Sequence, residues 1–301
     1  MKKILFKSFI LLMVMILGSA LFAGCAPQDQ EGQDQGGEGD PVEAKGTVKL
    51  AYVNWAEGVA MTNLAQAILE DKMGYEVETT MADVAPIFTS LANSDYDAFL
   101  DAWLPITHES YMETYGDDLN DLGYNFEDAR IGLVVPTYMD INTIEELNSI
   151  KDDLEGQIVG IDSGAGIMQA TENAIEEYGL DLELIPGSGP TMTAALKKAI
   201  DNNDSVVVTG WAPHWKFASW DLKFLEDSQG VYGDVENIHT VTRKDLGEDM
   251  PDVEQFLTNF YLDGQQLGDL MGDIANSDED PLVVAREWMN TNEDLVNSWL
   301  P

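Results

Sequence analysis

The chain has 301 residues, of which 55 are Asp or Glu and 15 are Lys or Arg, so its formal net charge is −40. This excess of negative charge argues against nucleic acid and anionic lipid as partners, because both are bound by basic surface patches. The single cysteine excludes an intramolecular disulfide, and the 45% hydrophobic content is sufficient to build large cores. The acidity identifies no ligand and is typical of a solvated surface.

The first 24 residues have the pattern of a secretory signal peptide. Lys2, Lys3 and Lys7 form a positive n-region, and residues 9–23 form an apolar run that is short for a membrane span. The run ends in "LFAGC", which resembles a bacterial lipobox and implies a diacylglyceryl group on Cys25 after cleavage. We therefore expect export and a lipid anchor on the extracytoplasmic face of the cell membrane. The alternative is a secretory signal with a chance cysteine.

Residues 25–46 are predicted to link that anchor to the folded part of the protein. After Cys25 the sequence "APQDQEGQDQGGEGDPVEAKG" is rich in Gly, Gln, Asp and Glu and has few residues to bury. This composition is typical of a flexible acidic linker. The folded part is therefore expected to begin at residue 47.

From residue 47 onward, short apolar runs alternate with helical patterns. Strands are predicted over "TVKLAYV" (47–53), "YEVETTM" (75–81), "YDAFLDAWL" (96–104), "ARIGLVVPTYM" (129–139), "QIVGID", "LELIP" and "SVVVTGW". Helices are predicted after Trp55 and over "VAPIFTSLANS", "NTIEELNSIKDDL", "GIMQATENAIEEYG" and "TMTAALKKAI", the third with Asn142 or Thr143 as its N-cap. The C-terminal stretch is predicted to be mainly helical, in "MPDVEQFLTNFYL", "QQLGDLMGDIAN" and "DPLVVAREWMNTNEDLVNSWL".

This alternation predicts an α/β protein with two lobes, each built on a parallel sheet covered by helices. Lobe 1 comprises residues 47–137 together with 236–301, and lobe 2 comprises residues 138–235. Two lobes joined by crossing strands form a hinge, and a ligand binds in the cleft between them. In open α/β sheets this cleft lies at the carboxyl ends of the strands.

Three of the seven tryptophans, Trp55, Trp103 and Trp211, follow or end predicted strands. That is the edge at which such folds bind ligands. Indole faces attract cations that cannot donate hydrogen bonds, so these three tryptophans are candidates for an aromatic cage around such a cation. Core packing is the alternative role of a tryptophan, and we expect it for Trp288 and Trp299.

The other aromatic and titratable residues indicate no chemistry. Trp215 and Trp220 are expected to support the wall of the cage. His108, His214 and His239 are not spaced like a metal pair, and the sequence has no nucleophile elbow, Walker A motif or dinucleotide fingerprint. We therefore expect no metal, no cofactor and no enzymatic activity.

Three motifs carry a family resemblance: "DAWLPITHESY" (101–111), "GIDSGAGIM" (160–168) and "GWAPHWKF" (210–217). They resemble the OpuAC/ProX family of glycine betaine and proline betaine binding proteins of ABC importers. The resemblance covers nearly everything from residue 47 to residue 301. It implies a two-lobed periplasmic-binding-protein fold of type II, with two crossing strands, that closes on a quaternary amine.

The resemblance also implies roles for single residues. The trimethylammonium cage would consist of Trp55, Trp103 and Trp211. The ligand carboxylate would be bound by His108 and by the backbone N–H groups of Gly166 and Ile167. The predicted start of a helix at these two residues agrees with that role, since free N–H groups and the helix dipole favour an anion. A buried, hydrogen-bonded side chain in a turn is the alternative role for His108.

The sequence therefore predicts a membrane-anchored, monomeric solute-binding protein that delivers glycine betaine or a related solute to an ABC permease. Choline, carnitine, proline betaine and dimethylsulfoniopropionate are alternative ligands. An anion site argues mildly against choline, because choline has no carboxylate. An exported two-lobed hydrolase and a lipoprotein that senses the solute for a membrane receptor are the alternative functions.

Overall fold

The structure, a computed structural model, describes residues 45–301. The predicted signal peptide at 1–24, the predicted lipidation site at Cys25 and nearly all of the 25–46 linker lie outside the described residues. From Thr47 onward the chain alternates strands and helices, as the sequence predicts.

The strands form one continuous mixed sheet. In chain order they are β1 (Thr47–Tyr52), β2 (Glu76–Met81), β3 (Ala98–Leu104), β4 (Leu119–Pro136), β5 (Gln157–Val159), β6 (Glu183–Ile185), β7 (Val208–Ala212), β8 (Leu222–Phe224) and β9 (Glu236–Arg243). Their spatial order is β2-β1-β3-β9-β4-β7-β5-β6, and β8 pairs with β4 beside this path. β1 is parallel to β2 and β3, and β5 is parallel to β6 and β7. Each end of the sheet is therefore a parallel unit whose strands need crossover connections.

The helices connect and cover the strands. In chain order they are α1 (Ala56–Asp71), α2 (Val84–Ala92), α3 (Glu109–Tyr115), α4 (Gly166–Glu177), α5 (Gly189–Asn202), α6 (Lys216–Ser219), α7 (Leu246–Asp249), α8 (Pro251–Asn259), α9 (Gly264–Asn276), α10 (Pro281–Thr291) and α11 (Glu293–Trp299). None of the helices within residues 45–301 combines the length and the apolar composition that crossing a membrane needs.

The antiparallel strands β4 and β9 connect the two parallel units. Residues 119–129 of β4 pair with β9, whereas residues 130–136 pair with β7 and β8. β9 also pairs with β3. The sequence predicts β4 only from residue 129, because register shifts along the β4–β9 ladder interrupt the period-two pattern that reveals strands.

The segment predicted as a helix after Asn142 is a 3₁₀ helix, Ile144–Ile150, rather than an α-helix. Its N-cap is Thr143, one of the two residues predicted for that position, and Thr143 forms a capping box with Glu146. The buried side chains of this segment are Ile144 and Leu147. Their separation of three residues matches the period of a 3₁₀ helix.

The C-terminal helices pack on the unit that contains β1, β2 and β3, as predicted. α9 and α10 both contact α1. Arg286 of α10 forms an ion pair with Asp71 at 3.0 Å and a second one with Glu70. Trp288 and Trp299 are 6% and 3% exposed, which confirms their prediction as core residues.

Candidate functional site

The predicted cage residues Trp55, Trp103 and Trp211 reach one cavity from three different elements. Trp55 is the N-cap of α1, Trp103 lies near the end of β3, and Trp211 lies near the end of β7. These residues are 5%, 3% and 3% exposed. The cavity that all three line has a volume of about 20 Å³. That space holds about one water molecule, so a larger ligand fits only when the walls separate.

Each of these tryptophans donates its indole N–H to a carboxylate. The pairs are Trp55 with Asp162 Oδ2 at 3.3 Å, Trp103 with Asp101 Oδ1 at 2.8 Å, and Trp211 with Glu57 Oε2 at 2.8 Å. Each bond fixes the orientation of its ring and places a carboxylate at the ring edge. The bonds of Trp55 and Trp211 also join the unit containing β1–β3 to the unit containing β5–β7.

Glu57 and Asp101 are both buried, with 1% of each residue exposed. Burial raises the pKa of Glu57 to about 7. Burial, and then repulsion by Glu57, also raise the pKa of Asp101. Among the hydrogen bonds of residues 45–301, none reaches Glu57 Oε1 or Asp101 Oδ2. A cation nearby would stabilise the ionised form of such carboxylates, so the site is suited to a positively charged group.

A fully buried lysine lies against Trp211, one of the predicted cage residues. Lys216 Nζ is 4.2 Å from the centroid of the Trp211 ring and 3.4 Å from the Trp211 carbonyl oxygen. Burial lowers the pKa of Lys216 to about 7, although the charge of Glu57 opposes this shift. The charge around the Trp211 ring therefore changes with pH near neutrality.

Gly166 and Ile167 line the same cavity and are the first two residues of α4. The N-cap of α4 is Ala165, whose side chain cannot accept a hydrogen bond from the first N–H groups of the helix. The positive end of the helix dipole favours an anion at this point. A Cβ atom on Gly166 would overlap the carbonyl oxygen of Thr107, so this close approach of the backbones requires glycine.

His108 lies beside the cavity and is fully buried. Its Nδ1 accepts the backbone N–H of Trp103 at 2.9 Å, so the proton of the neutral ring is on Nε2. Burial lowers the pKa of His108 to about 3. The ring stacks on Trp55 with 5.9 Å between centroids, and Nε2 has no hydrogen-bond partner among the described residues. The wall of the 20 Å³ cavity includes the neighbour Thr107 rather than His108 itself.

Two larger cavities flank the small one. The first, of about 380 Å³, is lined in part by Trp55, Trp211, His214, Trp215 and Trp220. The second, of about 470 Å³, shares Thr107, Ile131, Ala165 and Gly166 with the small cavity. The three cavities thus share walls, and the predicted cage and the start of α4 line the middle one.

Sequence reasoning does not single out the carboxylates that hold the cage, since the chain has 55 acidic residues. Only Asp101 has a usable signal, because it precedes its partner Trp103 by two residues. In a strand, side chains two residues apart share a face, which places Asp101 beside Trp103. Glu57 and Asp162 have no such signal, because their partners lie 154 and 107 residues away in the chain.

The fold and the cleft together define a class of protein. Two parallel α/β units joined by antiparallel crossing strands, with an enclosed aromatic cleft between them, form the fold of a type II periplasmic binding protein. Residues 46–291 match the family model described as the substrate binding domain of an ABC-type glycine betaine transport system. The chain belongs to this family.

Known relatives agree with this assignment. The glycine betaine/carnitine transport binding protein GbuC of Listeria monocytogenes serotype 1/2a (strain 10403S) is 46% identical over 156 residues, which are 50% of this chain and 52% of that protein. This match thus spans about half the length of the relative.

Solved structures extend the likeness to nearly the whole described chain. Lactococcal OpuAC in its closed-liganded conformation with glycine betaine gives a TM-score of 0.80 at 36% identity, covering 85% of this chain and 100% of that one. The glycine betaine, L-proline binding protein ProX from Borrelia burgdorferi gives a TM-score of 0.81 at 33% identity, covering 85% and 97%. The predicted family and fold are confirmed.

Proposed function

We propose that this protein is an extracytoplasmic solute-binding protein that captures glycine betaine, or a related quaternary ammonium solute, for an ABC permease. It carries out no covalent chemistry. The observation that carries the proposal is the meeting of Trp55, Trp103 and Trp211 with the start of α4 at one cavity. Methylated ammonium groups bind to aromatic faces, and carboxylates bind to helix N-termini, so the two kinds of wall match the two ends of a zwitterion.

The tryptophans and Glu57 hold the cationic end. A trimethylammonium group has no N–H, so it gains little from hydrogen-bond acceptors and much from desolvated indole faces. Each face contributes about 0.5–2 kcal/mol, and three faces contribute several kcal/mol together. Glu57 lines the same cavity and adds a full negative charge once it is ionised.

His108 and the start of α4 hold the carboxylate. The backbone N–H groups of Gly166 and Ile167 donate to it, and neutral His108 donates through Nε2. The low pKa of His108 keeps the ring uncharged in solutions near neutrality, so its contribution is a hydrogen bond rather than an ion pair. This bond would satisfy a buried donor for which residues 45–301 supply no acceptor, and such a bond contributes more than an exposed one.

Binding involves a separation and closure of two lobes. Lobe 1 comprises residues 47–137 and 236–301, lobe 2 comprises residues 138–235, and β4 and β9 join them. The 20 Å³ cavity is too small for the solute, so the lobes part to admit it. The indole bonds of Trp55 and Trp211 cross between the lobes. The movement that closes the cleft therefore also forms the hydrogen bonds that orient the rings of Trp55 and Trp211.

The N-terminal region places the protein at the membrane. Residues 1–24 direct export, the lipid on Cys25 anchors the mature chain to the cell membrane, and residues 25–46 tether the monomeric binding domain near its permease. The lipobox resemblance supports this arrangement.

Carnitine is the best-supported alternative ligand. It carries both a trimethylammonium group and a carboxylate, and the relative GbuC is described as a glycine betaine/carnitine binding protein. Choline lacks the carboxylate that the start of α4 and His108 would bind. We therefore expect ligands that carry both a quaternary ammonium group and a carboxylate to bind more tightly than ligands that carry only the ammonium group.

Calorimetric titration with two isosteric ligands tests the function. Glycine betaine and 3,3-dimethylbutanoate have the same shape and carboxylate, but the second has a neutral carbon in place of the ammonium nitrogen. We expect glycine betaine to bind about 100-fold more tightly, because only its head group is attracted by the indole faces and Glu57. Equal affinity, or no binding of any betaine, would contradict the proposal.

Single substitutions locate the site. Trp103→Ala and Trp211→Ala should each weaken glycine betaine binding by at least about tenfold, through lost cation–π attraction and apolar contact. Trp220→Ala is the matched control, since Trp220 lines the 380 Å³ cavity but not the 20 Å³ one. Loss of binding in Trp220→Ala with normal binding in Trp103→Ala would move the ligand to the larger cavity.

A further inference from the structure

Gly189 packs against Asn54, Trp55 and Trp211, which line or adjoin the cleft. It is buried at the start of α5, directly after the N-cap Ser188. A Cβ atom at this position would lie 3.0 Å from the carbonyl oxygen of Asn54 and 3.8 Å from an indole carbon of both Trp55 and Trp211. The residue therefore sits against two of the three tryptophans of the cage.

The reason for glycine at this position is space rather than backbone conformation. Its φ angle lies outside the left-handed range in which glycine is favoured, unlike Gly179, whose φ is +58°. A contact of 3.0 Å between a Cβ and a carbonyl oxygen is shorter than van der Waals packing allows without a shift of the backbone. A side chain extending beyond Cβ would also meet the indole rings.

The contact joins the two parallel units of the sheet. Asn54 and Trp55 connect β1 to α1, whereas Gly189 begins α5 and Trp211 belongs to β7. Gly189 lines the 380 Å³ cavity on the side of Trp55 and Trp211, whereas Gly166, which would place a Cβ on the carbonyl oxygen of Thr107, lines the small cavity. Each glycine of one unit thus lies against the backbone of the other unit.

We propose that Gly189 is a positioning residue that sets how closely Trp55 and Trp211 approach each other, and thereby the size of the ammonium head group that the cage accepts. The inference rests on the proposed function. A methyl group at residue 189 would push on the Asn54 carbonyl next to Trp55, and a longer side chain would also hold the two indole rings apart. The cage would then fit the small trimethylammonium group poorly, and a wider head group would lose less affinity.

A size series at residue 189 tests the inference. The variants Gly189→Ala and Gly189→Leu are titrated with glycine betaine and with its N,N,N-triethyl analogue. We expect glycine betaine affinity to fall about threefold in the first variant and at least about 30-fold in the second, because overpacking increases with side-chain size. The ratio of triethyl to trimethyl affinity should rise in both.

Gly264 provides a matched control. It is the first residue of α9, directly after the N-cap Asp263, and a Cβ there would meet no atom within 4 Å. Gly264→Ala and Gly264→Leu should leave both affinities unchanged. The melting temperature of each ligand-free variant shows whether the fold is intact, and Gly189→Ala provides the test if Gly189→Leu does not fold.

The outcomes distinguish this inference from the proposed function. If the wild type binds no quaternary amine, the proposed function fails and the inference fails with it. If the wild type binds glycine betaine and the folded variants at residue 189 bind it equally well, with an unchanged ratio between the two ligands, only the inference is overturned. A uniform loss of affinity for both ligands also overturns it, because that result indicates general damage rather than control of cage size.

Discussion

Trp211 donates its indole N–H to Glu57 Oε2 at 2.8 Å, and this bond crosses from β7 to α1. The acceptor is a buried carboxylate whose pKa burial raises to about 7. One contact therefore orients an indole ring of the proposed cage, joins the two units of the sheet and places an ionisable group at the cavity. The three consequences can be separated by experiment.

Substituting Glu57→Gln should weaken cation binding while preserving the cage. Glutamine keeps an oxygen that can accept the Trp211 N–H, but it removes the negative charge. We expect about a tenfold loss of glycine betaine affinity in titration calorimetry, since a desolvated charge near a bound cation contributes on the order of 1–2 kcal/mol. Glu172→Gln on the exposed face of α4 controls for the change in net charge and should have no effect.

Affinity for the cation should rise with pH around neutrality. Below about pH 7, Glu57 binds a proton and presents no charge, and a bound cation favours its ionised form. Lys216 loses its proton over the same range, which acts in the same direction. We expect about a threefold to tenfold increase between pH 6 and pH 8, measured at constant ionic strength. The increase should be smaller in Glu57→Gln, and a flat profile in the wild type would contradict this assignment.

His108→Phe should discriminate between ligands with and without a carboxylate. The ring is retained, but the Nε2 donor is lost. We expect glycine betaine to bind about 10-fold to 100-fold more weakly, because a buried hydrogen bond to a charged group contributes about 1.5–3 kcal/mol. Choline is the internal control and should lose little affinity. An equal loss for both ligands would instead indicate a structural role, since Nδ1 also accepts the Trp103 N–H.

The ion pair of Asp97 with Arg243 should contribute to stability and not to binding. Asp97 Oδ1 accepts Arg243 Nε at 2.7 Å, and both side chains are 9% exposed. Asp97→Asn should lower the free energy of unfolding by about 1–3 kcal/mol, because the guanidinium loses its buried partner and keeps only the exposed carboxylate of Asp249 at 2.7 Å. Chemical denaturation measures this change. Asp201→Asn, which removes the exposed pair with Lys197, should cost less than about 1 kcal/mol.

The sequence predicts the parallel units of the fold well and the crossing strands poorly. β1, β2 and β3 are found within two residues of their predicted ranges, because short segments rich in β-branched and aromatic residues indicate strands. β4 begins ten residues before its predicted start, since its first part gains its strand structure from pairing with β9 rather than from its own pattern. Such long-range pairing has no local signal.

The sequence by itself determined the family, the β-α alternation and the positions of Trp55, Trp103 and Trp211 at the edge of the sheet. Those features depend on local patterns and short motifs, and both can be recognised in the sequence without knowing which distant residues meet. Only the tertiary structure decided which acids accept the indole N–H groups of Trp55 and Trp211, that Lys216 lies over Trp211, and that Gly189 lies against Asn54. Apart from the contact of Lys216 with Trp211, which lies within one unit, each of these contacts joins distant parts of the chain, and its distance is fixed only when the two units of the sheet meet.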